Sequence, residues 1–390
     1  MGIVKFGDVV ERINIKVDQS NPQLNYMEHG RRIIIPIKYY VGGEHIEGSE
    51  FMVHKKALIQ GSTIGYQFQF GFRKGDILFM TKNPHLRKAS MVDFDGLCSI
   101  ATFVIASKSN NLLQNYLLLE MQSDRFWQYC EDNKSGGVNY FINWGTLSNY
   151  EFDLPPIEKQ KELADKLWAA YRLKEGYKRL FAAIDEMVKS QFIEMYHKTH
   201  NTQTLESVCA IISKGITPKY VDFSSVAVVN QACIQWDGLH LENIKYHNEE
   251  ILFKKRTLQT GDVLLNATGT GTLGRCCVFN CPSNDNIYIN DGHVIALATN
   301  KSILLPEVLN AYLSLNDTQA EIYRLYVTGS TNQVDIVFSD IKKMKVPVPN
   351  IDDQISFVKI LNQVDKSKSY VLIAFKNLES MLRYCIGKIA

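Results

Sequence analysis

Two stretches of the chain carry the side chains that could do chemistry. Lys82, Asn83, His85, Arg87 and Lys88 crowd one segment directly after an apolar, strand-like run. Farther on, Asn230, Gln231, Asn266, Thr268, Thr270, Thr272 and Arg275 gather donors and acceptors of the same kinds. These residue types can pair with base edges in a major groove, Arg or Lys with guanine and Asn or Gln with adenine. Arg87 and Lys88 fit equally a contact to phosphate, which positions a duplex without specifying its sequence. Each residue taken alone fits an ordinary structural role at least as well.

Gly269-Thr270-Gly271-Thr272-Leu273-Gly274 matches the GxGxxG spacing of a dinucleotide or S-adenosylmethionine loop. Its context argues otherwise. Arg275-Cys276-Cys277-Val278-Phe279 follows, which is strand-like and leads to Pro282. No helix is then available to hold a phosphate at its N-terminus. The stretch reads as a tight polar loop whose amides and threonine hydroxyls can meet phosphates. No Asn- or Asp-Pro-Pro-aromatic motif of amino-methyltransferases occurs, since Pro155-Pro156 lies between Leu154 and Ile157. There is no GxxxxGK loop followed by Ser or Thr, and no nuclease cluster of acids with a lysine. Scattered histidines such as His45, His85 and His293 fit structural roles, so no catalytic residue is assigned.

The eight cysteines, at 98, 130, 209, 233, 276, 277, 281 and 385, form no CxxC pair. A zinc site at Cys276, Cys277 and Cys281 would need a distant fourth ligand such as His293, so small buried or half-buried thiols in a reducing compartment are the expectation and no metal is assigned. Net charge is +2, far from the strongly basic balance of a non-specific nucleic-acid coat. Local basic clusters stand at Arg31-Arg32, His54-Lys55-Lys56, Lys82 to Lys88, Lys254-Lys255-Arg256 and Lys342 to Lys345.

The elements that must position these loops come in two copies. An offset of 194 aligns Trp144 with Phe338, Leu147 with Ile341, Leu154 with Val348, Pro155 with Pro349, Ile157 with Ile351 and Gln160 with Gln354. Upstream, Gly75-Asp76-Ile77-Leu78-Phe79 echoes Gly261-Asp262-Val263-Leu264-Leu265 at an offset of 186, each a Gly-Asp turn before a β-type run. After each proline segment come about forty residues without proline, apolar at helical spacing. The first series is Leu163, Leu167, Ala170, Leu173, Tyr177, Leu180, Ile184 and Met187, then Gln191; the second is Val371, Phe375, Leu378, Leu382, Cys385 and Ile389. Such 3-4 spacing is a coiled-coil seam. A helix from Glu158 to Tyr196 would be about 58 Å long, too long for one small domain, so the two helices are expected to pair. Strands are expected at Ile33 to Tyr40, Asp76 to Met80, Ala101 to Ala106, Ala227 to Asn230 and Asp262 to Asn266. Helices are expected at Asn111 to Glu131 and Pro306 to Tyr326.

This order of domain, helix, domain, helix resembles the specificity subunits of type I restriction–modification systems. Leu154-Pro155-Pro156-Ile157-Glu158-Lys159-Gln160, running into Leu163-Ala164-Asp165-Lys166-Leu167, resembles that family's central conserved region. Val348-Pro349 to Gln354 resembles the distal copy, with Asn350 where Pro156 aligns and Asp352 for Glu158. Tyr40 to Gly48, Gly75 to Lys88 and Phe94 to Cys98 are similar to recognition-domain segments, as are Val229 to Ile234, Gly261 to Asn266 and Asp291 to His293.

The resemblance implies an α+β fold of two tandem similar halves, each a mixed α/β target-recognition domain followed by a long helix, the helices forming an antiparallel coiled coil. The expected segments are recognition domain 1 at 1–156, the central helix at 157–198, recognition domain 2 at 199–349 and the distal helix at 350–390. It implies a non-catalytic reader of a bipartite sequence in double-stranded DNA, each domain taking one half, with the helices setting the spacer. The partners it implies are two methyltransferase subunits and restriction/translocase subunits. Those partners would use S-adenosylmethionine, ATP and Mg, with no cofactor in this chain. A methylation-only system fits the same resemblance. A protein-interaction scaffold without a DNA role fits the repeat and helices equally well, and only the recognition-domain segments separate the two. No apolar run approaches the ~20 residues that span a bilayer, and no signal-peptide core is visible, so a cytoplasmic protein without a membrane partner is expected.

Overall fold

The computed structural model describes residues 2–108, 110–251, 255–330, 333–387 and 389. The chain divides into two compact units, Met1–Arg179 with Val371–Ala390, and Leu180–Tyr370. Each long helix is thus shared between the units, which is why their limits differ from segments drawn along the sequence.

Both units are built on the same sheet. In the first, the strands run Ala89–Met91, Ile77–Met80, Thr102–Ser107 and Val10–Ile13 in spatial order, all antiparallel. In the second, Cys276–Val278, Asp262–Asn266, Val294–Thr299 and Cys209–Lys214 repeat that order and sense. The central strand is buried on both faces, so its apolar run is continuous. Ile77 and Phe79 face the helices, while Leu78 faces a second sheet. Val263 and Leu265 divide from Leu264 in the same way, as the two-residue period of a strand requires. Complete burial of one such side chain is worth roughly 1.5–3 kcal/mol.

The second sheet of each unit has one parallel pair, Tyr39–Val41 with Gly96–Ser99, and Val226–Val229 with Ile287–Asn290. The first unit adds the Phe68–Phe72 and Ile15–Lys16 strands and the hairpin Gln23–Glu28/Arg31–Pro36. The run expected from Ile33 to Tyr40 therefore ends at Pro36, which has no N–H to donate, and resumes at Tyr39.

The Gly-Asp echo is one turn used twice. Gly75 and Gly261 take φ of 94° and 96°, where a side chain is strained. Each glycine N–H donates to the carbonyl of Val92 or Phe279, at 2.8 and 2.9 Å. The buried carboxylates of Asp76 and Asp262 accept from the amides three residues back, both at 2.8 Å. Burial pushes the Asp76 carboxyl up despite the neighbouring Arg73.

The helix expected from Asn111 to Glu131 is two, Gln114–Gln122 and Asp124–Asp132. Ser123 between them is extended, and its hydroxyl accepts the Phe126 amide at 3.2 Å, an N-cap that restarts the helix. Pro306 to Tyr326 likewise divides at Ser314-Leu315 into Pro306–Leu313 and Asn316–Leu325.

The long helices are Ile157–His197 and Ile351–Gly387. In the first unit Leu163, Ala164 and Leu167 share a core with Leu378, Leu382 and Ile386. In the second, Val188, Phe192 and Met195 share one with Phe357, Val358 and Leu361. The start of each helix thus meets the end of the other, and they run antiparallel. The second helix keeps its 3-4 stripe, except that Ile386 replaces the exposed Cys385. The first departs from it: Leu173, Leu180 and Met187 are exposed, whereas Trp168, Tyr171 and Lys174 are buried. The reason is a change of partner. Phe51 of the first unit stacks on Tyr171 at 4.6 Å and meets Trp168 edge-on at 5.2 Å.

One glutamine fastens each long helix to its own domain. Gln160 is fully buried; its Oε1 accepts the Leu113 amide at 2.9 Å and its Nε2 donates to the Asn111 and Pro155 carbonyls at 2.7 and 2.8 Å. Gln354 repeats this with Leu305, Ile303 and Pro349 at 2.8, 2.9 and 2.8 Å.

Candidate nucleic-acid interface

The two candidate loops occupy the same place in the two units. Each leaves the C-terminal end of the central strand and leads to the edge strand of the sheet. The Thr81 amide donates to Ala101, Ile142 to Thr81 and Asn83 to Tyr140, at 2.9, 3.0 and 2.9 Å. In the second unit Ala267 donates to His293, Ile336 to Ala267 and Gly269 to Val334, at 2.8, 2.7 and 3.3 Å. This lattice adds a second element to each loop: residues 135–141 in the first unit, and the hairpin Val327–Ser330/Gln333–Ile336 in the second.

A third loop closes each crest from the end of the parallel strand. Lys88 Nζ donates to the Gly43 carbonyl at 2.6 Å, and Arg275 Nη1 to Gln235 Oε1 at 2.5 Å. The two basic residues hold equivalent positions, each directly before the edge strand. The Ser49 amide donates to the Arg87 carbonyl at 3.0 Å, which joins the first and third loops backbone to backbone.

In the first crest Lys82 and His85 are exposed. Asn83 and Arg87 have left-handed backbones, with φ of 54° and 50°, and they flank the 84–86 turn, whose Pro84 is buried. Arg87 pairs with Asp124 at 2.6 Å, their side chains 42% and 64% exposed. Such a pair is worth about 0–1 kcal/mol, so a phosphate can compete for the guanidinium. Lys88 is half-buried on its carbonyl partner.

In the second crest the candidates form one network. Gln231 Nε2 donates to the Thr268 carbonyl at 3.2 Å and to its hydroxyl. The Thr268 hydroxyl also meets His293 Nδ1 at 3.0 Å, and Thr272 Oγ1 donates to the Thr268 carbonyl at 3.0 Å. Thr270 is exposed at the tip. Asn230 and Asn266 face inward instead. The 8%-exposed Asn230 accepts from the Ala232 amide and donates to Asn243, both at 2.8 Å. Asn266 is fully buried and donates to the Gln231 carbonyl at 3.1 Å. Both are struts of the loops through the hydrogen bonds their amides make inside the protein; the Asn266 Oδ1 is buried without a partner among the described residues.

The glycine-rich stretch is a turn between the antiparallel strands Asp262–Asn266 and Cys276–Val278; no helix follows it. Of the basic clusters, Arg256 is bound to Asp262, Lys55 to Glu47 at 2.6 Å, and Lys56 lies over the Tyr39 and Phe94 rings. Lys254 lies outside the described residues. Sequence reasoning singled out nothing in 135–141 or 327–336. The signals there are Gly136-Gly137 and Gly329, which mark turns.

Among the described residues one group has the spacing of metal ligands, Glu50, His54 and Glu175. It is already neutralised: Lys174 and Lys178 reach Glu50 Oε1 at 2.9 and 3.1 Å, and Lys178 reaches Glu175 at 2.9 Å. With Tyr171 Oη donating to Glu50 at 3.1 Å, the group is a clamp between the first crest loop and the long helix. Within the second crest, His240 is raised by its hydrogen bonds to Glu242 and Asp237. No described helix is long and apolar enough to cross a membrane.

Fold and crests together define a duplicated loop-presenting protein, with two similar polar surfaces on two copies of one scaffold. A family model described as the type I restriction modification DNA specificity domain matches residues 3–179 and again 198–371. The chain belongs to this family, whose task is DNA target recognition in restriction–modification. A 96-residue stretch is 28% identical to the Type I restriction enzyme EcoDI specificity subunit of Escherichia coli, covering 25% of this chain and 21% of that protein. Among solved structures, the S subunit of a type I restriction-modification system from M. genitalium matches with a TM-score of 0.55 at 11% identity, over 99% of this chain and 95% of that one. A chain solved in work on complex assembly and conformational transition of the type I R-M system matches with a TM-score of 0.53 at 18% identity, over 99% and 96%. These likenesses are of fold.

Proposed function

We propose that this chain is the non-catalytic sequence reader of a type I restriction–modification complex. Each crest reads one half of a bipartite target in double-stranded DNA. The observation that carries this is the duplication of the crest: two loop systems with one backbone lattice, each presenting different side chains. A conserved frame with divergent tips suits two different half-sites. In this reading Lys82, His85 and Arg87 meet phosphate or base edges in the first half-site. Thr270, Thr268, Thr272 and Gln231 do so in the second, and Lys88, Asn230, Asn266 and Arg275 hold the loops in place.

The scaffolding role follows from the same duplication. Gln160 and Gln354 set the two long helices against their domains by identical bonds, so the chain offers nearly the same surface twice. Pseudo-two-fold repetition of this kind suits two copies of one partner, here two methyltransferase subunits, with restriction/translocase subunits joining them. Chemistry on adenine, with S-adenosylmethionine, ATP and Mg, belongs to those partners in the cytoplasm. The test is to co-express the chain with its methyltransferase partner in an unmethylated host and map N6-methyladenine across the genome. A split motif with a fixed unspecified spacer, present only with this chain, is the expected result. No new methylation from a soluble complex with an active partner would refute the reading.

A further inference from the structure

The 135–141 loop has features that phosphate anchoring does not explain. It is closed by a reciprocal pair of hydrogen bonds, the Ser135 amide to the Phe141 carbonyl at 2.7 Å and the Phe141 amide to the Ser135 carbonyl at 3.0 Å. Gly136, at φ of 99°, makes the turn, and a Cβ there would stand 2.5 Å from the Asn139 carbonyl oxygen. The loop is pinned at its base to Lys82 and Asn83. Its shape is therefore fixed without help from the side chains at its apex. Those side chains are Val138, 93% exposed, and Asn139, exposed and making no side-chain hydrogen bond among the described residues.

A rigid finger that ends in an unused methyl pair beside an unused amide has one obvious complement in a major groove. An Asn amide pairs with adenine N6 and N7, and an apolar group packs on the thymine methyl. Residues 77–92 and 133–150 contain no acid and hold Lys82, Arg87, Lys88 and Lys134; Lys82 is exposed, Lys88 is held by the Gly43 carbonyl, and Asp124 and Glu131, which pair with Arg87 and Lys134, come from outside these stretches. Lys134 is paired with Glu131 and covers the Tyr140 ring at 4.5 Å, which stiffens the finger further. The finger is a single turn closed by one antiparallel bridge between Ser135 and Phe141, no wider than the two-stranded ribbon that the groove admits.

We propose that the 135–141 finger specifies one A·T pair in the first half-site, through the Asn139 amide on adenine and Val138 on the thymine methyl. The proposal rests on the DNA-reading function above and adds to it a residue pair and a base pair.

The test compares Asn139→Ala and Val138→Ser with the wild-type chain, each in complex with the methyltransferase partner, by mapping N6-methyladenine across the genome. Neither side chain supports the fold, so both variants should melt like the wild type. The expected result is one A·T position, other than the methylated adenine, becoming degenerate in one half of the motif, with the other half and the spacer unchanged. Discrimination at that position should fall roughly five- to 150-fold for Asn139→Ala, and less for Val138→Ser. A motif unchanged in both variants, relaxation at a G·C position or in both halves, or a soluble variant that methylates nothing overturns the finger's role while leaving the reader function standing. A wild-type chain that yields no split motif overturns both.

Discussion

Gln160 gives the sharpest test of how a long helix is fixed to its domain. Gln160→Met keeps the length and volume of the side chain and removes all three hydrogen bonds. The Leu113 amide then has no acceptor in a buried position, and the Asn111 and Pro155 carbonyls lose their donor. Leaving one buried backbone group unpaired costs about 1–3 kcal/mol, and carbonyls suffer less than amides, so the whole change is expected to cost about 2–4 kcal/mol. Two units in one chain make a global unfolding curve hard to interpret as two-state; hydrogen exchange at individual amides is the better assay. A local loss of 2 kcal/mol speeds exchange at Leu113 roughly thirtyfold. The equivalent Leu305 amide, held by Gln354 in the other unit, should keep its protection. Gln354→Met should give the converse pattern. Unchanged protection at Leu113, or equal loosening of Leu113 and Leu305 by either variant, would refute the claim that these glutamines are local and equivalent fasteners.

Burial alone raises the Glu50 carboxyl, but the hydrogen bonds and charges of Lys174 and Lys178 outweigh it and hold it below the usual carboxylate range. A depressed native value means that Glu50 stabilises the fold above that range and loses this effect as pH falls through its native value. Glu50→Gln should therefore be less stable locally than the wild type near neutrality by about 1–3 kcal/mol, with the gap closing in acid; hydrogen exchange at the amides around Glu50, corrected for the intrinsic rate at several pH values, that shows a constant gap would contradict the clamp. At Gly48, a Cβ would lie 2.2 Å from the Leu86 carbonyl oxygen, so Gly48→Ala should force the first and third loops of the first crest apart. The expected cost is about 1–3 kcal/mol, read as a lower melting temperature together with weaker DNA binding, and an unchanged melt would show that the loops are not in close contact. Lys82→Ala in the assembled complex should flatten the slope of log K against log salt by about 0.9 if Lys82 meets one phosphate; an unaltered slope would place it away from the backbone. Arg87→Ala should weaken binding by the same complex, and unchanged affinity at moderate salt would leave Arg87 only its Asp124 partner.

The sequence by itself determined the duplication and its strongest local features. Pro155 and Pro349 fix the approach to each long helix, and the spacing of apolar residues announces the helices. Gln160 and Gln354 are visible as an aligned pair, although their bonds are not. The Gly-Asp turns are legible because only a few residue types tolerate that backbone. The absence of a helix after the glycine-rich stretch was legible too, from the β-type residues that follow it. Tertiary structure decided what depends on partners distant in the chain. Periodicity placed Leu173, Leu180 and Met187 in the seam. Phe51, more than a hundred residues upstream, instead draws Trp168 and Tyr171 inward and leaves Leu173 exposed. The candidate loops show the same limit. Asn230 and Asn266 have the composition of base readers, but the neighbouring loops enclose them and use their amides as struts. The 135–141 finger, which composition alone does not mark, gains its place through backbone bonds to Lys82 and Asn83, some fifty residues earlier in the chain. Residue type sets what a side chain can bond to, and the fold decides whether that partner is the protein or a ligand.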